Sequence, residues 1–173
     1  MKKIITTFIV LFISQAFFAQ NAFSKFEEDP DIKNVIVNKK MFQLLSKMDV
    51  KDKETQQYVN LIKKLDNLKV FMTNNDKKSN DLKATVDKYL KSANLEELMR
   101  VAEGTKNVKI YVKSGATDSQ IKELLMFIEG AGKEDTVLMS LTGNFDIAEL
   151  SLLTDKMNLP GGDSLKKASK GKK

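Results

Sequence analysis

The chain is expected to fold as a single α+β domain with a mixed, mostly antiparallel sheet: a short strand-helices-strand unit, a further helix, a four-stranded meander and a C-terminal helix. The helices are expected mainly on one face. Three observations lead there. Apolar residues recur at helical spacing in the first half, four strand-like runs with short, turn-rich connections fill the second, and 42% apolar with 30% charged side chains over 173 residues suits one packed core.

The first nineteen residues stand apart. Lys2 and Lys3 precede an apolar run from Ile4 to Phe18, with small residues at Ala16 and Ala19, the layout of a secretory signal peptide. As an uncleaved anchor the run is short, since a membrane helix needs roughly 20 apolar residues. Cleavage after Ala19 leaves Gln20 first, although Phe17 is bulky for its place before the cut; cleavage after Ala16, with Ser14 upstream, is the alternative. The expectation is a soluble periplasmic or extracellular protein with no transmembrane span after cleavage. Lacking cysteine, the chain has no residue for lipoprotein acylation.

Residues 20–31, with Glu27, Glu28, Asp29, Pro30 and Asp31, read as a solvated acidic leader; a calcium loop would need alternating oxygen ligands around a turn glycine. The domain proper is expected over residues 32–160. Val35, Ile36 and Val37 form a β-branched strand, and Asn38 can cap a helix whose apolar face is Met41, Leu44, Leu45 and Met48. A polar break at 49–55 precedes a second helix with Tyr58, Leu61, Ile62 and Leu65 on one face. Leu68 to Met72 reads as the next strand; if it paired in parallel with the first, the crossover would be right-handed, with the helices on one face. A third helix spans about 79–92, with Leu82, Val86, Tyr89, Leu90 and Ala93 as its stripe and Asn94 as its end.

The runs 98–103, 108–113, 122–129 and 136–142 form the meander, joined by segments of turn residues short enough for consecutive antiparallel pairing. Asp146 and Glu149 form a capping box for a helix with Ile147, Leu150, Leu153 and Met157 inward, stopped at Asn158, Pro160 and Gly161. Residues 161–173 read as a flexible lysine-rich tail.

Composition narrows the chemistry. Without His or Cys, the chain cannot build histidine or cysteine triads and dyads, Cys/His zinc sites, disulfides or thiol redox centres. The net charge of +6 belongs to the ends: residues 20–162 carry 22 basic and 22 acidic side chains, with Arg100 the single arginine. That is no nucleic-acid footprint, which calls for a basic stripe with stacking aromatics. The Ser-x-x-Lys pattern at Ser164 and Lys167 lies in the tail, where nothing would hold a nucleophile beside its base. Adjacent carboxylates at Glu96 and Glu97, and at Glu134 and Asp135, point to opposite faces when on a strand. No catalytic, cofactor or metal residue is assigned.

The stretches Leu98-Met99-Arg100-Val101, Val108-Lys109-Ile110-Tyr111-Val112 and Val137-Leu138-Met139-Ser140-Leu141-Thr142-Gly143-Asn144-Phe145-Asp146 resemble the domain of unknown function 4252 family of exported Bacteroidota proteins. The resemblance runs from about Val35 to Asn158, and the signal peptide ending Phe-Ala-Gln looks similar to those of that phylum. It carries no catalytic residues; what it implies is a link to envelope signalling. Some relatives look like lipoproteins, from which this chain departs by having no cysteine. Asp135-Thr136-Val137 and Asp163-Ser164-Leu165 resemble the three-residue O-glycosylation sites of that phylum; because Thr136 opens a strand, Ser164 is the candidate acceptor.

Two surfaces are candidates for function. Leu125 and Phe127 face away from Leu124, Met126 and Ile128, so both faces of the central strands are partly apolar. The preferred account is that helices cover both faces or that the sheet is central in the domain; otherwise Tyr111, Leu125, Phe127 and Leu138 form a patch for a partner or a second subunit. In the tail, Lys166, Lys167, Lys170, Lys172 and Lys173 are candidate weak contacts to an anionic surface. The function expected is a non-catalytic interaction or sensing module of the cell envelope, binding an unknown envelope protein or itself, with no cofactor. A binding protein for a small apolar ligand and a carboxylate-dependent hydrolase are the alternatives.

Overall fold

The computed structural model describes residues 22–47, 52–104, 106–117, 119–130, 135–149 and 163. After a 3-10 turn at Ser24–Phe26 come β1 (Lys33–Asn38), α1 (Lys39–Leu45), α2 (Lys53–Ile62), β2 (Leu65–Thr73) and α3 (Asp76–Ala93). Then follow β3 (Glu96–Glu103), β4 (Lys106–Ser114), β5 (Gln120–Glu129), β6 (Thr136–Asp146) and a second 3-10 turn at Ile147–Glu149. The strands make one sheet in the order β1-β2-β6-β5-β4-β3, with each neighbouring pair antiparallel. The α+β class and the meander of β3 to β6 stand.

Local chemistry starts and stops the helices. The Asn38 side chain accepts from the Met41 N–H at 3.0 Å, Asp52 from Thr55 at 2.8 Å, and Asn75 from Lys77 and Lys78, each satisfying donors that the first turn leaves unpaired. At the far end of α3, Asn94 adopts the left-handed conformation, with φ 52°, that ends helices. At the close of β6, Gly143 passes against the Lys64 carbonyl and Leu65 Cα, where a β-carbon would collide. Its neighbour Asn144 donates its N–H to that same carbonyl at 2.8 Å.

The sheet is covered on both faces. On one, Phe42 of α1 and Leu61 and Ile62 of α2 pack with Leu68, Val70, Ile110, Leu124, Met126, Met139 and Leu141. On the other, Leu82, Val86 and Tyr89 of α3 pack with Phe71, Leu125, Phe127 and Leu138. The helices expected mainly on one face are therefore divided between two. The physical reason lies in the strands: β5 and β6 are apolar at successive positions, and both sides must leave water. β1 and β2 pair antiparallel as neighbours, so no parallel crossover exists.

Three local expectations change. The acidic leader is a strap: Phe23, Phe26 and Ile32 are buried against α3 and β2, with Phe23 edge-on to Tyr89 and Phe26 edge-on to Phe71. Its acids serve as clamps, Glu27 to Lys69 and Asp29 to Lys78, while Thr73 donates its hydroxyl to the Asp31 carbonyl. In α1 the buried side chain is Phe42, whereas Met41 and Leu44 remain about half exposed; Met48 lies outside the described residues. The largest apolar group took the interior, since burial scales with area. Leu65, expected on the second helix, begins β2. The capping box is present, with the Asp146 N–H donating to Glu149 Oε2 at 2.9 Å; the helix expected after it, from Leu150 onward, lies outside the described residues.

Candidate interaction surface

Tyr111, Leu125, Phe127 and Leu138 are brought together: Tyr111 sits opposite Leu125 and Phe127 opposite Leu138 in the sheet. They are not a free surface. Leu125 and Leu138 are fully buried and Phe127 is 3% exposed, under α3 and the strap; Tyr111, half-buried, packs at the margin of that cluster. The preferred account of covered faces holds and the patch is corrected to core, because the α3 stripe of Leu82, Val86 and Tyr89 needs an apolar floor and these residues are it. Thr136 is buried within β6, which removes it as a glycan acceptor. Ser164 and the tail lysines Lys166, Lys167, Lys170, Lys172 and Lys173 lie outside the described residues.

On the strap side, an open groove of about 1100 Å³ runs between the strap and the ends of β5 and β6. Three acids line it, each with its own partner. Glu27 holds Lys69 at 2.8 Å, Asp66 holds Lys39 at 2.7 Å, and Glu123 accepts from the Tyr89 hydroxyl at 2.6 Å. Glu123 is 6% exposed. Burial pushes its carboxyl up, against the opposing pull of the Tyr89 hydroxyl and the Lys113 charge. Tyr89 is likewise driven up, by burial first and then by the Glu123 carboxyl. Sequence reasoning missed this pair, although Glu123 shares the alternation of Leu125 and Phe127 and so had to face inward.

Among the described residues no group of three or more acidic side chains is placed to hold a metal ion. Glu97, on β3, is engaged by Arg100 through Nε at 3.0 Å and Nη2 at 2.7 Å, which holds its carboxyl below the usual range. Glu27, Asp66, Glu97 and Glu123 are thus tied into ion pairs and hydrogen bonds of the fold.

The two edges of the sheet differ. β3 places Glu96, Glu97 and Arg100 along its rim, the charged defence that keeps an edge from pairing. β1 has Lys33 at its start and then Asn34-Val35-Ile36-Val37-Asn38. Among the described residues the large apolar side chains left exposed are Val35 at 47%, Ile36 at 40%, Met41 at 49% and Leu44 at 52%. All four belong to β1 and α1. Among the described residues no strand lies on the outer side of β1, so within them apolar side chains and unpaired peptide groups occur together.

Among the described residues no helix is long and apolar enough to cross a membrane. No curated protein and no solved structure matches the chain. The model of the family described as Domain of unknown function (DUF4252) matches residues 26–153, from the second strap phenylalanine, through the sheet, to just past the second 3-10 turn. The chain belongs to that family.

Proposed function

We propose that this protein is an exported, non-catalytic interaction or sensing module of the cell envelope that engages its partner through β1 and α1. One observation carries the reading: the exposed large apolar side chains among the described residues are gathered on an edge strand and the helix that follows it. Edge strands accept a further strand through main-chain hydrogen bonds, with side chains on both faces setting specificity. The opposite edge is guarded by charge, so docking is directed to β1. Export is supported by the signal-like residues 1–19; cleavage after Ala16 or Ala19 leaves every described residue in the mature chain. Fractionation with N-terminal sequencing tests this, and a cytoplasmic chain retaining Met1 overturns it.

The test of the surface is Leu44→Glu in the mature chain. Leu44 is 52% exposed and outside the core, so the far-UV spectrum and melting temperature should hold. Association, read by sedimentation and by cross-linking in the native envelope, should weaken about tenfold or more, as desolvating a carboxylate in an apolar contact costs over 1.4 kcal/mol. Unchanged association removes α1 from the surface.

A further inference from the structure

We infer that the partner at β1 is a second copy of this chain, joined by antiparallel pairing of β1 with itself and centred on Ile36. The inference rests on the reading of β1 as the interaction edge and adds the identity and register of the occupant. Its basis is that Asn34-Val35-Ile36-Val37-Asn38 reads the same in both directions.

Geometry turns that symmetry into a prediction. Two antiparallel copies of a strand at a sheet edge are related by a twofold axis perpendicular to the sheet, and such an axis keeps each face on its own side. Opposed residues must then share a face, which permits a centre on a residue and forbids one between residues. The faces follow from the β1–β2 register. Val35 and Val37 lie opposite Val70 and Leu68, on the α1/α2 side, while Ile36 lies opposite Lys69, on the strap side.

A centre on Ile36 sets Ile36 against Ile36 of the second copy, Val35 against its Val37, and Asn34 against its Asn38. Every pair joins like with like, and no charged side chain falls within the five positions. A centre on Val35 would instead set Lys33 against Val37 and Asn34 against Ile36, burying polar groups on apolar ones. Beyond the five positions, Lys33 approaches Lys39 of the second copy, and Lys39 is already paired with Asp66 at 2.7 Å. The asparagines hold local hydrogen bonds of their own, Asn34 to the Glu27 carbonyl and Asn38 to the Met41 N–H.

Pairing in this register joins two six-stranded sheets edge to edge and gives the outer peptide groups of β1 their partners. α1 contacts β1 and buries Phe42 in the layer that Val37 joins, so the element carrying the exposed Met41 and Leu44 lies beside the row of four valines. The assembly is isologous, the commonest form of soluble dimer.

The experiment uses residues 20–173 at a series of concentrations in sedimentation equilibrium. A dimer is expected whose dissociation constant rises about tenfold or more in Ile36→Lys, with the far-UV spectrum unchanged and the melting temperature equal to that of the natural chain diluted to monomer. Because the natural chain has no cysteine, Ile36→Cys alone should give an interchain cross-link with a short bis-maleimide. Under oxidation, without a linker, Val35→Cys should form an interchain disulfide efficiently only when mixed with Val37→Cys, because diagonal partners about 7–8 Å apart are beyond disulfide reach. A monomer at all concentrations, or a dimer insensitive to Ile36→Lys, overturns the inference. If the chain is monomeric but Ile36→Lys still abolishes cross-linking to another envelope protein, the edge reading survives and the second copy does not. If neither association depends on Ile36 or Leu44, both fall.

Discussion

At the scale of single residues, the informative group is Glu123. It sits between β4 and β6 on the strap face, 6% exposed, with one oxygen taken by the Tyr89 hydroxyl. Burial raises its folded pKa above the ordinary carboxylate value, so the folded state binds this proton more tightly than the unfolded chain. The sign follows from linkage: its favourable contribution is full below the unfolded value and is lost as pH rises through the raised folded value. Glu123→Gln keeps an acceptor for Tyr89 and removes the charge. Thermal melts should therefore show the variant more stable than the natural chain at neutral pH, with the gap closing towards pH 4; a variant less stable at pH 7 would mean that the Tyr89 hydrogen bond and the Lys113 attraction, both favouring the charged form, together outweigh burial. The site residue was legible in the strand alternation, whereas its tyrosine partner, 34 positions away, was not.

At the scale of elements, the strap carries the lesson. Glu27, Glu28, Asp29 and Asp31 dominate the composition of residues 20–31 and suggest a solvated leader, yet the two phenylalanines among them decide its fate. Phe23 and Phe26 are each 2% exposed, and their rings meet Tyr89 and Phe71 at centroid distances of 5.1 and 5.9 Å. Truncating a buried phenylalanine to alanine costs about 3 to 5 kcal/mol. Phe23→Ala and Phe26→Ala together should then approach the whole stability of a domain this size, which is about 5 to 15 kcal/mol. Denaturant titration checks this; a double variant within about 1 kcal/mol of the natural chain would return the segment to a lead-in. α1 teaches the same point: its spacing announced a helix and Asn38 its start, but two apolar faces competed for one interior, and only packing chose Phe42 over Met41 and Leu44.

At the scale of the whole molecule, one sheet divides two apolar layers, and the central strands belong to both. A charge on either inner face should therefore unfold the domain. Phe127→Lys is expected to lose the cooperative melt altogether, where an interface residue would lose only association; a folded monomer would restore Phe127 to a surface. What the amino-acid order determined by itself were local properties: strand and helix positions, the asparagine and aspartate caps, the meander, and the chemistry ruled out by having no His or Cys, since each depends on neighbours in the chain. The membership of each face, the conversion of an acidic leader into a strap, and the exposure of Val35, Ile36, Met41 and Leu44 were decided by tertiary structure. Those depend on which surfaces meet between segments far apart in the chain, as Lys64 and Glu149 are at 85 positions, where many apolar groups compete for limited interior area and the order of residues does not rank them.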